Sequence, residues 1–531
     1  MLRNIIRGSS LIFPRTCTSR SFSSSSIVYN KDNQEDDDYR KKLIQDNEGD
    51  DHWSKEPEME HPFGRTARVM GRQLRDIKGK ILFWKEPKPP EWDEWEVDST
   101  GFPTHIEVLI IGGGVMGMCT AYWMQKYGGK GFQVVVMEDE PLESYTSSML
   151  MTSSVITQQF ALEENIELSM YGTHFLRDVD KFLGFDKEEP LDIEFRPHGN
   201  LILAREEDAE RLVQNVKLQN SFGISTSIYT PTQLQRMFPW LNTEGIALGS
   251  MGDEQEGSFN PYAFLKALRR KTKAMGVEYV TAEAKAFIFS NIQNFSAISP
   301  STADLYSKLN HVIVKTEAGE KKVMQFAVCV VAAGAKSGHL ANLMKIGRTC
   351  GVRSVPLPVI PRQRHLCYFE APDGPNLNCP VLNDPSGVFF RRENLSNLYM
   401  ASKIPFNEQV DPSAVNVDEK NLPVDEEYFH REILPSLVKR VPAFKNSKLI
   451  STKTGLYDYN YFDENGVVGQ HPLYTNVMFA TGFGESSFVL APGIGRGLAE
   501  YMRNTNYKTI DQFRLAFDRF ITQEHMRARV V

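Results

Sequence analysis

Cysteine is scarce in this sequence and never occurs in pairs. The six cysteines stand at positions 17, 119, 329, 350, 367 and 379 of 531 residues, with no CxxC spacing. Disulfide frameworks and cysteine zinc sites depend on closely spaced pairs. The pattern therefore argues against both, predicts no metal site, and is typical of a reducing compartment.

Long apolar runs and an excess of basic charge are also missing. No run approaches the roughly 18 apolar residues that cross a bilayer, so any contact with a membrane is expected to be peripheral. The net charge of -7 argues against general binding to nucleic acid. What is present, 41% hydrophobic and 24% charged residues, is a globular composition long enough for two to four domains.

Acidic residues are absent from the N-terminus until Asp32. Residues 1–30 contain many serines together with Arg3, Arg7 and Arg15. A basic, serine-rich and acid-free start is typical of a mitochondrial presequence. It predicts a location in the matrix or on the matrix face of the inner membrane; the alternative is a disordered tail.

Two further segments precede the compact fold. Residues 31–60 are acidic and polar and predict a disordered linker. Residues 62–84 form a basic helical pattern, followed by the proline- and tryptophan-rich stretch 85–95. We interpret residues 31–104 as a linker and arm, which docks on a partner or membrane surface or packs on its own domain.

From about His105, apolar strand patterns alternate with helical ones, which predicts an α/β fold. The strand 106–111 is followed at once by the glycine run 112–117 and then by a helical pattern. In this arrangement the first glycine permits a tight turn, the second lets the backbone approach a pyrophosphate at the helix N-terminus, and the third lets helix and strand pack closely.

The next apolar strand, residues 132–137, ends in Glu138. An acid at this point accepts hydrogen bonds from the adenosine ribose, and it disfavours NADP because it repels the 2′-phosphate. Strand, glycines, helix, second strand and terminal acid in this order predict a dinucleotide-binding Rossmann unit.

Two later segments favour FAD over NAD. Residues 330–335 form a strand that ends in small residues, and 491–495 predict a second helix N-terminus that continues to about Arg503. A positive helix end suits reduced flavin, which gathers negative charge. A glycine-rich turn without a ligand and an NAD-dependent dehydrogenase are the alternatives.

Together these segments resemble the FAD-dependent amine and amino-acid oxidoreductases of the D-amino-acid oxidase and sarcosine dehydrogenase type, from about residue 105 to 510. A closer resemblance is to a mitochondrial group of that family that serves in the assembly of respiratory complex I. The strings that carry it are Gln158-Gln159-Phe160, Glu164-Asn165-Ile166, residues 238–245, 268–271, 389–393, 440–444, 457–460, 465–469 and 491–496.

The resemblance implies two interleaved domains in an α/β fold that is α+β overall. The implied FAD-binding domain comprises 105–185, 255–345 and 456–510. An antiparallel-sheet substrate domain that covers the flavin comprises 186–254 and 346–455, and 511–531 is left as a C-terminal tail.

The cofactor implied is FAD, which we expect to be held without a covalent bond. Relatives attach it covalently through a cysteine near Tyr457 or a histidine near the N-terminal strand, and no cysteine follows Cys379. The predicted cofactor-binding residues combine the two glycine segments, the ribose acid and positions that the resemblance adds. They are Gly112, Gly114, Val115, Met116, Gly117, Glu138, Ser147, Ala284, Ala333, Gly334, Gly482, Gly493, Ile494 and Gly495.

The loop expected under the flavin departs from the family pattern. Active relatives have Gly-Phe-Ser-Gly-His-Gly where this chain has 482–487, so Ser486 replaces histidine and Glu485 replaces glycine. Val489 stands where relatives place a lysine. We expect Glu485 to oppose the negative charge of reduced flavin. Relatives also often place an arginine after the ribose acid, and residues 139–176 contain neither lysine nor arginine.

Catalytic candidates follow from strand alternation and from the resemblance. Arg362 and Arg364 share one face of a predicted strand, and Arg391, Tyr457 and Tyr459 are further candidates. The resemblance implies complex I subunits or assembly intermediates as partners. The alternative is an active dehydrogenase or oxidase that takes a small N-methyl or α-amino acid.

Overall fold

The structure is a computed structural model that describes residues 102–141, 151–185, 188–252, 254–291, 307–348, 351–393, 396–404, 422, 424–425 and 427–527. The predicted presequence, the linker and nearly all of the arm lie outside the described residues, and so does Ser147.

The described residues form two large sheets and the helices that pack on them. The strands are β1 His105–Ile111, β2 Val134–Glu138, β3 Val155–Ile156, β4 Asn200–Ala204, β5 Thr226–Tyr229, β6 Leu248–Gly252, β7 Gly257–Ser258, β8 Glu278–Asn291, β9 Ser307–Thr316, β10 Lys321–Val331, β11 Val359–Glu370, β12 Val381–Asn383, β13 Val388–Glu393, β14 Leu398–Lys403, β15 Lys448–Asn460, β16 Val467–Gln470 and β17 Val477–Thr481. The α-helices are α1 Val115–Gly128, α2 Glu163–Arg177, α3 Val179–Leu183, α4 Glu206–Ser221, α5 Pro231–Met237, α6 Pro261–Ala274, α7 Ser337–Leu343, α8 Leu434–Arg440, α9 Ser487–Asn504 and α10 Asp518–Thr522.

The first sheet has a parallel centre. Neighbouring strands β8, β2, β1, β10 and β17 run parallel, and β16 joins β17 as an antiparallel strand. The far halves of β8 and β10 are bridged by β9, which pairs antiparallel with both. This sheet is the predicted Rossmann core with an antiparallel extension, and it confirms the α/β prediction.

Both faces of the central strands are covered, which explains why β1 and β2 are apolar at almost every position. Val108 and Ile110 on β1 belong to a core with α1, α2, α6 and α9. Leu109 and Ile111 alternate with them and face a second core that contains α7 and the C-terminal Phe517. The sheet therefore lies in the middle of three layers.

The second sheet has eight strands in the order β15-β11-β14-β13-β12-β4-β6-β5. All neighbouring pairs are antiparallel except β12 with β4, which is parallel. Strands β4 and β12 lie far apart in the sequence, so no hairpin connection imposes an antiparallel pairing on them. The predicted antiparallel sheet is thus mixed at this one junction.

Two details differ from the sequence-based segmentation. Strand β15 runs unbroken through residue 456, where a domain boundary was placed, because its pairing with β11 holds as far as Val359 opposite Asn460. Residues 511–527, which the sequence leaves as a tail, include α10. Phe517 and Phe520 of this segment are buried in the core on one face of the first sheet. Within the described residues no helix is long and apolar enough to cross a membrane.

A buried ion pair fastens the C-terminal segment to the loop before β16. The Nε atom of Arg519 lies 2.7 Å from Oδ2 of Asp463, and their side chains are 2% and 0% exposed. The Arg519 guanidinium also donates to the carbonyl of Gly466 at 2.8 Å. Asp463 in turn accepts a 2.8 Å hydrogen bond from Nδ2 of Asn460 at the end of β15.

We expect Arg519→Met to lower the free energy of unfolding by about 3–5 kcal/mol, because it leaves the Asp463 carboxylate buried and unpaired. The matched control is Arg211→Met, which breaks an exposed pair with Asp208 and should cost about 1 kcal/mol or less. Denaturant unfolding of both variants measures the difference. Equal, small effects would show that the C-terminal segment is not part of the cooperative fold.

Candidate functional site

The turn between β1 and α1 is built from glycines that have no room for a side chain. Gly112 has a φ of +117°, and a Cβ there would lie 2.2 Å from the carbonyl oxygen of Ala332 on the chain leaving β10. A Cβ at Gly117 would lie 1.9 Å from the carbonyl oxygen of Gly112. These two glycines therefore serve the packing of turn, strand and helix, as the sequence predicted.

Gly114 is different because space opens in front of it. It has an ordinary φ of -74°, and a Cβ at this position would meet nothing within 4 Å. It caps α1, whose first turn presents backbone N–H groups and the positive end of the helix dipole. Behind the turn, Nη2 of Arg269 donates to the carbonyl of Gly113 at 2.9 Å. The arrangement suits a phosphate group.

Two carboxylates and one lysine lie at the end of β2. The backbone N–H of Gly113 donates to the Glu138 carboxylate. Burial, and to a smaller extent the hydrogen bond with Asp139, raises the pKa of Glu138 to about 8. Burial alone would raise the pKa of Asp139, but Glu138 and the Lys336 ammonium, 2.7 Å away, bring it below its usual range. Residues 139–176 contain no lysine or arginine, and Lys336, from a distant part of the chain, places a positive charge beside Asp139.

A cavity of about 600 Å³ crosses the carboxyl ends of the parallel strands. It reaches from Glu138, the last residue of β2, to the loop after β17. Strands β1 and β10 lie between β2 and β17, so three strand spacings of about 4.8 Å separate the two ends. Ligands of open parallel sheets bind at this edge. Its lining is Ile111, Gly112, Gly114, Val115, Met116, Met137, Glu138, Asp139, Glu140, Met151, Thr152, Ala282, Glu283, Ala284, Ala332, Ala333, Gly334, Ala335, Lys336, His339, Leu340, Pro361, Leu456, Tyr457, Asp458, Ala480, Gly484, Ser487 and Phe488.

At the β17 end, a buried carboxylate shapes the loop. Oδ2 of Asp458 accepts from the N–H groups of Gly482 at 2.6 Å and Phe483 at 3.1 Å. Burial raises the pKa of Asp458 to about 6. Gly482 has a φ of +82°, so the turn itself requires glycine at this point. Asp458 links β15 of the second sheet to the loop that follows β17 of the first.

The helix predicted to begin near Ala491 begins instead at Ser487. Ser487 and Phe488 of its first turn line the cavity, whereas Gly493, Ile494 and Gly495 lie further along α9 and do not. A Cβ at Gly495 would lie 2.6 Å from the carbonyl carbon of Cys119 on α1. These glycines permit close helix packing, and sequence alone does not separate that use from a phosphate-binding turn.

Arg364 and Glu485 form an ion pair beside the β17 end of the cavity, and their side chains are 2% and 24% exposed. The second sheet therefore neutralises Glu485. The expectation that Glu485 opposes the negative charge of reduced flavin did not include this counter-ion, and it stays a prediction. The prediction that Arg362 and Arg364 share a face of β11 is confirmed, since both are buried and the intervening Gln363 is exposed.

The other catalytic candidates divide between the cavity and the sheet behind it. Tyr457 lines the cavity, and burial raises its pKa to about 12. The Arg362 guanidinium stacks on the ring of Tyr459, 4.6 Å from its centre. Arg391 donates to the carbonyl of Ser153 at 2.8 Å and pairs with Glu393. The structure thus brings Tyr457 alone among these candidates into the cavity wall.

The residues fit FAD. Open space at a backbone phosphate cradle, the dipole of α1 and an acid for the ribose lie along one continuous cavity. The predicted residues in its lining are Gly112, Gly114, Val115, Met116, Glu138, Ala284, Ala333 and Gly334. Gly117 and Gly482 shape the walls from behind.

Sequence reasoning missed several lining residues. Asp139 was signalled by its place beside the ribose acid, and Lys336 by its place after the small-residue turn. Asp458 was signalled by its place in the string 457–460. Met151 and Thr152 carried no signal, because long-range packing alone brings them to the cavity.

Some strings that carried the closer resemblance have structural roles. Gln159 donates from Nε2 to buried Glu256 at 2.7 Å and to the carbonyl of Asn200 at 2.8 Å. Asn165 on α2 donates to Asn465 at 3.1 Å. Such contacts join segments far apart in the chain, and they explain why these polar residues lie in buried positions.

The fold and the cavity together define a class. The chain belongs to the FAD dependent oxidoreductase family, which it matches over residues 107–501. The predicted FAD cofactor is confirmed, and the NAD-dependent alternative is wrong. Non-covalent attachment of the FAD stays a prediction.

Particular relatives narrow the comparison. The chain is 39% identical over 432 residues to FAD-dependent oxidoreductase domain-containing protein 1 of Mus musculus, covering 80% of this chain and 87% of that protein. It is 24% identical over 411 residues to the mitochondrial sarcosine dehydrogenase of Mus musculus, covering 76% of this chain and 40% of that protein. Among solved structures, L-proline dehydrogenase from P. horikoshii matches with a TM-score of 0.60 at 20% identity, over 80% of this chain and 100% of that one.

We expect Gly114→Leu to fold normally but to lose FAD. Its backbone angles suit any residue, and the new side chain would enter the open space in front of α1. Gly112→Leu is the contrasting variant, because its side chain would clash with the backbone at Ala332 and destabilise the fold. Flavin absorbance and circular dichroism of the purified proteins separate the outcomes. Full FAD occupancy in Gly114→Leu would place the phosphates elsewhere.

Proposed function

We propose that this chain is a mitochondrial flavoprotein that holds FAD firmly and acts in the assembly or stability of respiratory complex I, with little turnover of amino acids. The observation that supports little turnover of amino acids is the pairing of Arg364 with Glu485. Arginine is the side chain best suited to bind a carboxylate, and here the chain's own carboxylate occupies it.

Neighbouring positions offer no simple replacement for that cation. Val489, where relatives place a lysine, is 1% exposed and lies on α9 against α2. A Cβ at Gly172 of α2 would lie 1.6 Å from the carbonyl oxygen of Val489, so the two helices touch at this point. Arg362, the nearest arginine along β11, stacks on Tyr459. Among the described residues at the β17 end of the cavity, both arginines of β11 therefore already have a contact of their own, Arg364 with Glu485 and Arg362 with Tyr459.

An intact cofactor site is compatible with an assembly role. A ligand that binds the folded chain stabilises it in proportion to the logarithm of its concentration over Kd. The cavity is lined by residues from several segments of the chain, so FAD bound in it would hold those segments together. FAD also supplies a hydride acceptor, which leaves redox sensing open to the same site.

Complex I as the partner is supported by the sequence resemblance set out above. The strings behind it extend from Gln158 to Arg496, and the strong similarity to FAD-dependent oxidoreductase domain-containing protein 1 covers most of both chains. Mitochondrial import is supported by the acid-free, arginine-containing residues 1–30.

A second candidate function is oxidation of a small amine. Tyr457 lies in the cavity wall, with Arg362 and Arg364 close enough to lower its pKa from the value that burial alone would give. The similarity to sarcosine dehydrogenase also favours CH–NH chemistry. An amine without a carboxylate would not need an arginine or lysine to bind it.

We expect negligible anaerobic bleaching of the flavin by sarcosine, dimethylglycine or D-amino acids. Cells that lack the protein should contain less assembled complex I, and re-expression of Gly114→Leu should not restore it. Arg211→Met, which alters only an exposed ion pair, should restore it fully. Rapid bleaching by one amine together with normal complex I in the null cells would favour the metabolic enzyme.

Deletion of residues 1–30 should leave the chain in the cytosol, because the basic presequence is then missing. FAD binding by the purified truncated protein should be unchanged. Cell fractionation and flavin absorbance test the two statements separately. Efficient import of the truncated chain would contradict the presequence assignment.

A further inference from the structure

We propose that Arg364 is the centre of a binding site for small carboxylates, and that Glu485 closes this site by occupying it. The inference deepens the proposed function at the same cavity and rests on its claim that Glu485 engages Arg364. It makes Glu485 the residue that selects against organic acids and in favour of neutral or cationic ligands.

The arginine is held in place by contacts other than Glu485. Its Nε donates to Oγ of Ser402 at 3.0 Å, and Nη1 lies 3.4 Å from the carbonyl oxygen of Met151. The guanidinium also lies 5.1 Å from the centre of the Phe389 ring. With its side chain 2% exposed, Arg364 is expected to keep its position when Glu485 is removed.

Glu485 is less firmly held. It lies in the short 3-10 turn Gly484–Ser486 before α9, and its side chain is 24% exposed. Among the described residues its carboxylate has no ion-pair partner other than Arg364. The pair therefore combines a fixed cation with an anion carried on a turn.

The pair stands directly behind the cavity wall. Met151, whose carbonyl faces Arg364, lines the cavity, and so does Gly484, the residue before Glu485. Tyr457 lines it as well, and its pKa responds to the charges of both Arg364 and Glu485. The pair therefore lies behind this part of the cavity wall, next to residues that line it.

Loss of the glutamate charge would leave a buried cation without its counter-ion. An unpaired buried charge is strongly unfavourable, and a carboxylate from solution can replace the lost counter-ion, since arginine forms charge-assisted hydrogen bonds with carboxylates. In the native chain an added carboxylate competes with an internal one that is always present. The native cavity should therefore reject acetate and benzoate but not uncharged ligands of similar size.

The test is titration of purified FAD-containing protein with benzoate and acetate, followed by flavin absorbance and by calorimetry. We expect Glu485→Gln to bind benzoate at least tenfold more tightly than the native chain. Glu393→Gln is the matched control, since Glu393 is 19% exposed and pairs with the buried Arg391. It should bind benzoate no better than the native chain. Benzamide, which is uncharged, should show no gain with Glu485→Gln.

A double variant, Glu485→Gln with Arg364→Met, should lose the gain. Equal benzoate affinity in the native chain and Glu485→Gln, or a gain that survives in the double variant, would overturn the inference. Glu485→Gly repeats the benzoate titration with the residue expected in relatives. Loss of FAD from both Glu485→Gln and Glu485→Gly would also overturn the inference. These binding results are independent of complex I abundance, so failure of the assembly role and failure of this site are distinguishable.

Discussion

The close approach of the backbone around Gly112 is the contact on which the rest of the site depends. The turn leaving β1 touches the chain that leaves β10 at Ala332, and α1 returns over the same turn at Gly117. Only residues without a Cβ allow both contacts, because either substitution would bring atoms within about 2 Å. This packing aims the first turn of α1 along the carboxyl edge of the sheet. Glu138, on the adjacent strand, then lies beside that turn, and its carboxylate accepts from Gly113.

The second sheet completes the site by adding charge and enclosure. Strand β15 carries Tyr457 and Asp458 into the wall of the cavity, and Asp458 organises the loop after β17 through backbone N–H groups. Strand β11 brings Arg364 against Glu485. A buried ion pair of this kind contributes little net stability compared with apolar packing, because desolvation offsets the attraction. Its main consequence is electrostatic, because each of the two charges has its counter-ion where β11 meets the loop after β17.

A likeness in fold therefore does not carry the activity of the relatives with it. The chain shares a family with oxidoreductases of amines and amino acids, and the FAD cavity follows the shared pattern. The sequence resemblance implies that the β17 end follows it less closely, with Glu485 in place of glycine and Val489 in place of lysine. In this structure Glu485 pairs with Arg364, and Val489 is buried. Function resides in those side chains and not in the sheet that supports them.

The sequence by itself determined the features that depend on neighbours in the chain. The strand, glycine turn and helix from 106 onward, and the acid at 138, could be predicted because each rule involves residues a few positions apart. Tertiary structure decided the rest. Gly495 lies within α9 against α1, and glycine in sequence does not distinguish such a helix contact from a phosphate-binding turn. Lys336 with Asp139, and Arg364 with Glu485, meet across segments far apart in the chain. These two ion pairs set the charges at the two ends of the cavity, and a single sequence contains no local signal for contacts between distant segments.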